Sequence, residues 1–210
     1  MRKLKTLISL GFVMLLVSQL YAQPLNQTDA QGRKQGKWMK KYPNGQPMYR
    51  ANFKDDHLTG KYIRFFPNGT KQVEMHYGPE GDYASATFYD RRGNKLSEGY
   101  FAGKQKDSLW KFYNEKGRLL KTQNYDHGTL HGKMKTYHFN GKVAEVVPYK
   151  NGVKHGVWKK FYDTGRILQE VKVENGLLHG VFIAYFESGR PEITGGYRNN
   201  SKQGPWKFYY

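Results

Sequence analysis

Two rows of reactive side chains share one interval. His131, His155 and His179 stand 24 residues apart, and so do the cations Arg118, Lys142, Arg166 and Arg190. Zinc needs each ligand nitrogen ~2.0–2.1 Å from the metal, so its ligands lie within about 4 Å of one another. If each interval is one β-hairpin, strands ~4.8 Å apart set equivalent residues ~9.6 Å apart. The histidine row therefore cannot close on one ion. It reads as polar turn residues bonding the neighbouring backbone, or as a protonation-sensitive contact row. The cation row, joined by Lys37, Lys61 and Lys133, reads either as a solvated rim that discourages edge pairing or as a binding rim for an anionic partner.

Catalytic chemistry is not expected. The chain has no G-x-S-x-G, H-E-x-x-H, P-loop or dinucleotide fingerprint. Catalysis needs unlike groups converging on one point, whereas this chain repeats like groups at equal intervals. No catalytic residue, metal site or cofactor is assigned. The absence of cysteine removes disulfides, thiolate metal sites and a lipid-anchoring thiol together.

The interval belongs to the whole chain. Gly36, Gly60, Gly132, Gly156, Gly180 and Gly204 share one register, with Ala84 and Ser108 in the remaining slots. Nine residues later runs a second ladder: Gly45, Gly69, Gly93, Gly117, Gly141, Gly165 and Gly189. Two residues after the first register come Trp38, Tyr62, Ala86, Trp110, Met134, Trp158, Phe182 and Trp206. Five after it come Phe65, Tyr89, Tyr113, Tyr137, Phe161, Tyr185 and Tyr209, with Lys41 the exception, and seventeen after it Phe53, Tyr77, Phe101, Tyr125, Tyr149, Val173 and Tyr197. Aromatic strands with Gly punctuation specify hairpins, and Pro-Asn-Gly at 43–45 and 67–69 puts Gly where a turn needs positive φ. Two strands of about seven residues and two short turns fill each unit, which leaves no room for a helix.

The expected fold is all-β: an elongated, twisted antiparallel β-meander of about seven and a half 24-residue hairpin repeats over 36–210. Residues 23–35 form a degenerate partial repeat. Rows two and five differ in parity and should line opposite faces. The row Tyr89, Tyr113, Tyr137, Phe161 and Tyr185 is either structural or an exposed binding face. Residues 1–22 read as a cleavable signal peptide, with Arg2, Lys3 and Lys5 before an apolar run and a small residue, Ala22, at the cut. Its removal leaves 35 − 3 = 32 basic against 17 acidic side chains, a net +15.

The pattern G-x-W-x-x-F-Y-x-x-G of Gly156–Gly165, preceded by Tyr149 and Asn151-Gly152-Val153-Lys154-His155, resembles the MORN-repeat-variant family. That family includes proteins described as antitoxin components of bacterial toxin–antitoxin modules. The resemblance implies an interaction scaffold with a protein partner; the N-terminal residues imply export to the periplasm, outer envelope or medium of a bacterium, the repetition a non-catalytic role, and the basic rim an acidic partner. An envelope-associated structural protein binding anionic lipid or glycan is the alternative. Nucleic acid is disfavoured by export and by the absence of a recognised nucleic-acid module.

Overall fold

The computed structural model describes residues 24–210, so the signal-peptide reading of residues 1–22 lies outside the described residues. Among those described there is no helix. Eighteen antiparallel strands form one open meander, three of them ladders of only two residues, Gln27–Thr28, Thr129–Leu130 and Val153–Lys154. One unit shows the rule. Gly156–Phe161 leads out, Ile167–Glu174 returns, and Leu177–Tyr185 begins the next unit, each antiparallel to its neighbour in sequence. Residues 24–35 fold as a small hairpin of their own, Thr28 facing Lys34 and Gln27 facing Gln35.

Two kinds of turn alternate along the two rims. Within a unit, the Tyr162 N–H donates to the Arg166 carbonyl and the Gly165 N–H to the Tyr162 carbonyl, both at 2.9 Å, with Gly165 at φ 91°. Between units lies a two-residue turn with both residues left-handed, as in Asn151 (49°) with Gly152 (82°). This is the type I′ geometry whose twist matches its flanking strands.

The first glycine register marks neither turn. Val173 faces Leu178 and Val171 faces Phe182, so Lys172 alone stands opposite His179, Gly180 and Val181. This leading strand thus carries a two-residue bulge, and Gly180, at φ 86°, makes it. Ser108 adopts the same conformation at φ 57°, its hydroxyl donating to Asp107 Oδ2 at 2.8 Å. Ala84 does not. There Tyr77 faces Ala84 and the ladder runs without a shift to Val73 opposite Phe88.

Parity divides the sheet into two faces. One carries the second-position row, of which Ala86 and Trp110, the latter 1% exposed, are buried and the rest half-buried. Its ring has room because residue 99 is glycine: a Cβ there would lie 2.4 Å from the indole, and one on Gly195 2.3 Å from Trp206. Phe101 meets Trp110 edge-on at 5.1 Å, as Tyr197 meets Trp206 at 5.3 Å. Lysines close the solvent side. The ammonium groups of Lys34, Lys106, Lys154 and Lys202 lie 5.1, 4.5, 5.2 and 4.4 Å from the ring centroids of Trp38, Trp110, Trp158 and Trp206. Where the second position holds Tyr62, Ala86, Met134 or Phe182 instead, the position four before it holds Leu58, Asp82, Leu130 or Leu178. Lysine thus accompanies tryptophan in every unit that has one. Its stem shields the ring, and the cation–π contact adds about 0.5–1 kcal/mol.

Gly99→Ala should therefore destabilise the protein by about 1–3 kcal/mol through overpacking alone, because the backbone at 99 is not left-handed. Thermal melts should show that loss, and Trp110→Leu added to Gly99→Ala should recover part of it. An additive loss in the double variant would mean that the ring is not what glycine accommodates.

Candidate interaction surface

The cation row lies along the rim of intra-unit turns, where three of its four members bridge one turn to the next. Arg118 Nη1 donates to the Phe139 carbonyl at 3.4 Å, Lys142 Nζ to the Thr164 carbonyl at 2.9 Å and Arg166 Nη1 to the Glu187 carbonyl at 2.7 Å. Arg118 also stacks on the Phe139 ring, 3.4 Å from its centroid. Arg190, in the last such turn, has no side-chain hydrogen bond among the described residues; its backbone N–H donates to Ser188 Oγ and its carbonyl accepts from the Phe186 N–H. Asparagines reinforce the rim: Asn44, Asn68 and Asn140 donate to the carbonyls of Pro67, Arg91 and Asp163. The opposite rim is joined by backbone, with Gly128, Gly152 and Gly176 N–H groups donating to Lys106, Leu130 and Lys154.

The fifth-position aromatics lie on the face opposite the tryptophans. All five, Tyr89, Tyr113, Tyr137, Phe161 and Tyr185, are half-buried. Tyr113 OH donates to Glu98 Oε1 at 2.5 Å and Tyr185 OH to Glu170 Oε1 at 2.8 Å, while Tyr137 OH lies 3.5 Å from Thr122 Oγ1. The glutamates belong to a mid-strand row that sequence reasoning missed. Glu74 pairs with Lys61 at 2.6 Å and Lys71 at 2.7 Å, Glu98 with Lys95 at 2.8 Å and Lys111 at 3.3 Å, and Glu170 with Lys159 at 2.7 Å. Lysine hydrogen bonds hold Glu74 and Glu98 down at about 2, against burial, which acts the other way. Burial first, and then its bond to Glu98, push Tyr113 up to about 12.

The histidine row sits at the bulge. His131 Nδ1 lies 3.3 Å from Asn151 Oδ1, His179 Nε2 lies 4.0 Å from Glu174 Oε2, and the His155 side chain is exposed. A different cluster brings ligand-type atoms within 4.8 Å: Asp107, Asp126 and His127. Its members satisfy one another. His127 Nδ1 is 2.6 Å from Asp126 Oδ1, its N–H donates to Asp107 Oδ1, and Asp126 raises its pKa. The 20-residue separation of 107 from 127 hides this cluster from motif reading.

Four segments, 34–55, 58–77, 130–151 and 154–175, match the model of the MORN repeat variant, and their starts are 24, 72 and 24 residues apart. The chain carries MORN repeat variants. Ala84 and Ser108, the two slots without the register glycine, both fall in the unmatched stretch between the second and third segments. MORN repeats are protein- or lipid-interaction modules, and the chain is a repeat scaffold. No curated protein matches it. Among solved structures, a complex of S. aureus TarM with fondaparinux, alpha-GlcNAc-glycerol and UDP aligns at TM-score 0.35 and 13% identity, over 46% of this chain and 19% of that one. TarM in another crystal structure aligns at 0.34 and 14%, over 45% and 20%. A TcdB2-TccC3-Cdc42 structure aligns at 0.21 and 11%, over 80% and 13%. The chain spans a fifth or less of the length of these proteins, and scores this low carry no argument.

Two outcomes follow. Arg166→Ala should cost about 0.5–1 kcal/mol in a thermal melt by removing a bridge between turns, whereas Arg190→Ala should cost almost nothing. Equal losses would show that the bridges do not stabilise the rim. Glu74 and Glu98 have folded pKa values of about 2, below their ordinary 4.5, so their stabilisation is present above pH ~4.5 and is lost as pH falls toward 2. Melting temperature should decline through that window. The double variant Glu74→Gln, Glu98→Gln should melt lower at pH 7 and show a flatter acid limb.

Proposed function

We propose that this chain is a non-catalytic scaffold, exported from a bacterial cell, that docks an acidic protein partner on the sheet face opposite its tryptophans. Neutralisation of a toxin, as in the antitoxin members of the family, is the most specific form of that reading. The observation that carries it is the division of labour between faces. The tryptophan face is closed by its own lysines, while the other face keeps an open surface of paired and unpaired charge in a chain with a basic excess. Export is supported by the basic, apolar and small residues that succeed one another over 1–22, and non-catalysis by the repetition of like groups. A second reading, attachment to anionic lipid or glycan, rests on the lipid binding known for MORN modules.

The test is a pull-down with residues 23–210 from envelope extract, followed by direct binding of the purified partner. The expected result is an acidic protein whose affinity falls as salt rises, and a mature N-terminus near Gln23 on the protein recovered from the producing cell. Reversing Arg118, Lys142, Arg166 and Arg190 to Glu should leave the affinity of a face-docked partner largely intact, whereas a sharp loss would place the partner on the rim. Recovery of lipid or polysaccharide alone would overturn the protein reading.

A further inference from the structure

Direct strand neighbours form a line across the charged face, and in its middle the pattern changes. Glu98 faces Lys111, Lys111 faces Thr122, Thr122 faces Lys135, Lys135 faces Val146, Val146 faces Lys159, and Lys159 faces Glu170. Thr122 and Val146 occupy the register of Glu98 and Glu170, displaced by one and two units of 24. Lys111 leans on Glu98 and Lys159 on Glu170. Lys135, between them, has no carboxylate within ion-pair distance among the described residues. Tyr137, whose counterparts Tyr113 and Tyr185 donate to a glutamate, meets only the Thr122 hydroxyl, at the 3.5 Å limit of a hydrogen bond.

The donors of the repeated carboxylate site are therefore in place at Lys135 and Tyr137 while the acceptor is missing. We infer that Lys135 and Tyr137 receive a carboxylate side chain from an acidic protein partner over Thr122, itself only 6% exposed, in place of the one that Glu98 and Glu170 supply in their own units. The repeats themselves define the chemistry, because one oxygen of each such glutamate accepts from a tyrosine hydroxyl and the carboxylate also binds a lysine. Lysines on alternate strands lie ~9.6 Å apart, so an anion at Lys135 also gains from Lys111 and Lys159 at roughly one Debye length. Val157 and Val181, 47% and 65% exposed on the same face, suit a partner segment that carries aliphatic residues beside its acid. The inference rests on the reading of this face as a protein-docking surface and names where on it the partner's charge sits.

The decisive variant supplies the acid from within. Thr122→Glu rebuilds the carboxylate of the neighbouring units, so it should raise the melting temperature while occupying the donors Lys135 and Tyr137. Fluorescence anisotropy with a labelled decapeptide alternating Glu and Val is expected to show binding at low salt, with a Gln and Val peptide at least tenfold weaker. Thr122→Glu and Lys135→Ala should each weaken the Glu peptide about tenfold, and Lys207→Ala, in the same line at the end of the sheet, should not. Equal binding of the Glu peptide by wild type, Thr122→Glu and Lys135→Ala would overturn the inference. So would loss of discrimination between the two peptides, or dependence on Lys135 seen only with inorganic phosphate or phosphatidylglycerol vesicles. A pulled-down partner that binds Thr122→Glu unchanged would overturn the carboxylate site and leave the scaffold reading standing, whereas the absence of any protein partner would remove both.

Discussion

A single open sheet has no second layer against which to bury side chains, and most of what is described above answers that constraint. Domains ordinarily close a core between two layers. Here each ring can be covered only by residues on its own face, from its own strand and the strands beside it. That is why a lysine lies over each tryptophan and why glycine stands beside Trp110 and Trp206. It also explains the opposite face, where half-buried tyrosines hold their hydroxyls on glutamates that gather lysines. With little core to share, stability is distributed along the rims as turn-to-turn hydrogen bonds, and Arg118, Lys142 and Arg166 belong to that stitching.

The period, the strand class and both glycine ladders were legible because glycine is demanded wherever a non-glycine side chain would be strained at positive φ. The same fact concealed the bulge. A left-handed residue marks a turn and a bulge alike, and only the pairing of Val171 with Phe182 and Val173 with Leu178 shows that Gly180 lies inside a ladder. Ala84 and Ser108 look equivalent as small residues in a glycine slot, yet Ser108 is left-handed and Ala84 lies in regular pairing. The serine hydroxyl bonds Asp107, a local tie that alanine has no atom to make. The coupling of lysine to tryptophan four residues on was present in the sequence and needed only that the units be aligned on one another.

Residues of the charged face were harder to see for a geometric reason. Thr122 and Lys135 are 13 residues apart and Lys135 and Val146 are 11, so no fixed sequence interval joins them, and their adjacency follows from antiparallel register. The cation row is the converse case. Its 24-residue spacing is conspicuous, but regular spacing along a rim serves a bridge from each turn to the next as well as it would serve a ligand. In a repeat, departures from the pattern are more informative about binding than the pattern itself: Thr122 and Val146 break a row of acids while Lys135, Lys159 and Tyr137 persist beside them.

The central claim is that the 24-residue unit, through its two strands and one bulge, decides which side chains share a face. Removing residues 156–179 joins His155 to Gly180 and keeps every register, with Phe182 brought beside Val147 in place of Val171. Removing 156–167 puts a returning strand where a leading one belongs and turns side chains to the wrong face. Circular dichroism with thermal melting of the two deletions is the direct measurement. The account predicts a β spectrum and a cooperative melt for the full-unit deletion and neither for the half-unit deletion; like behaviour of the two would contradict it.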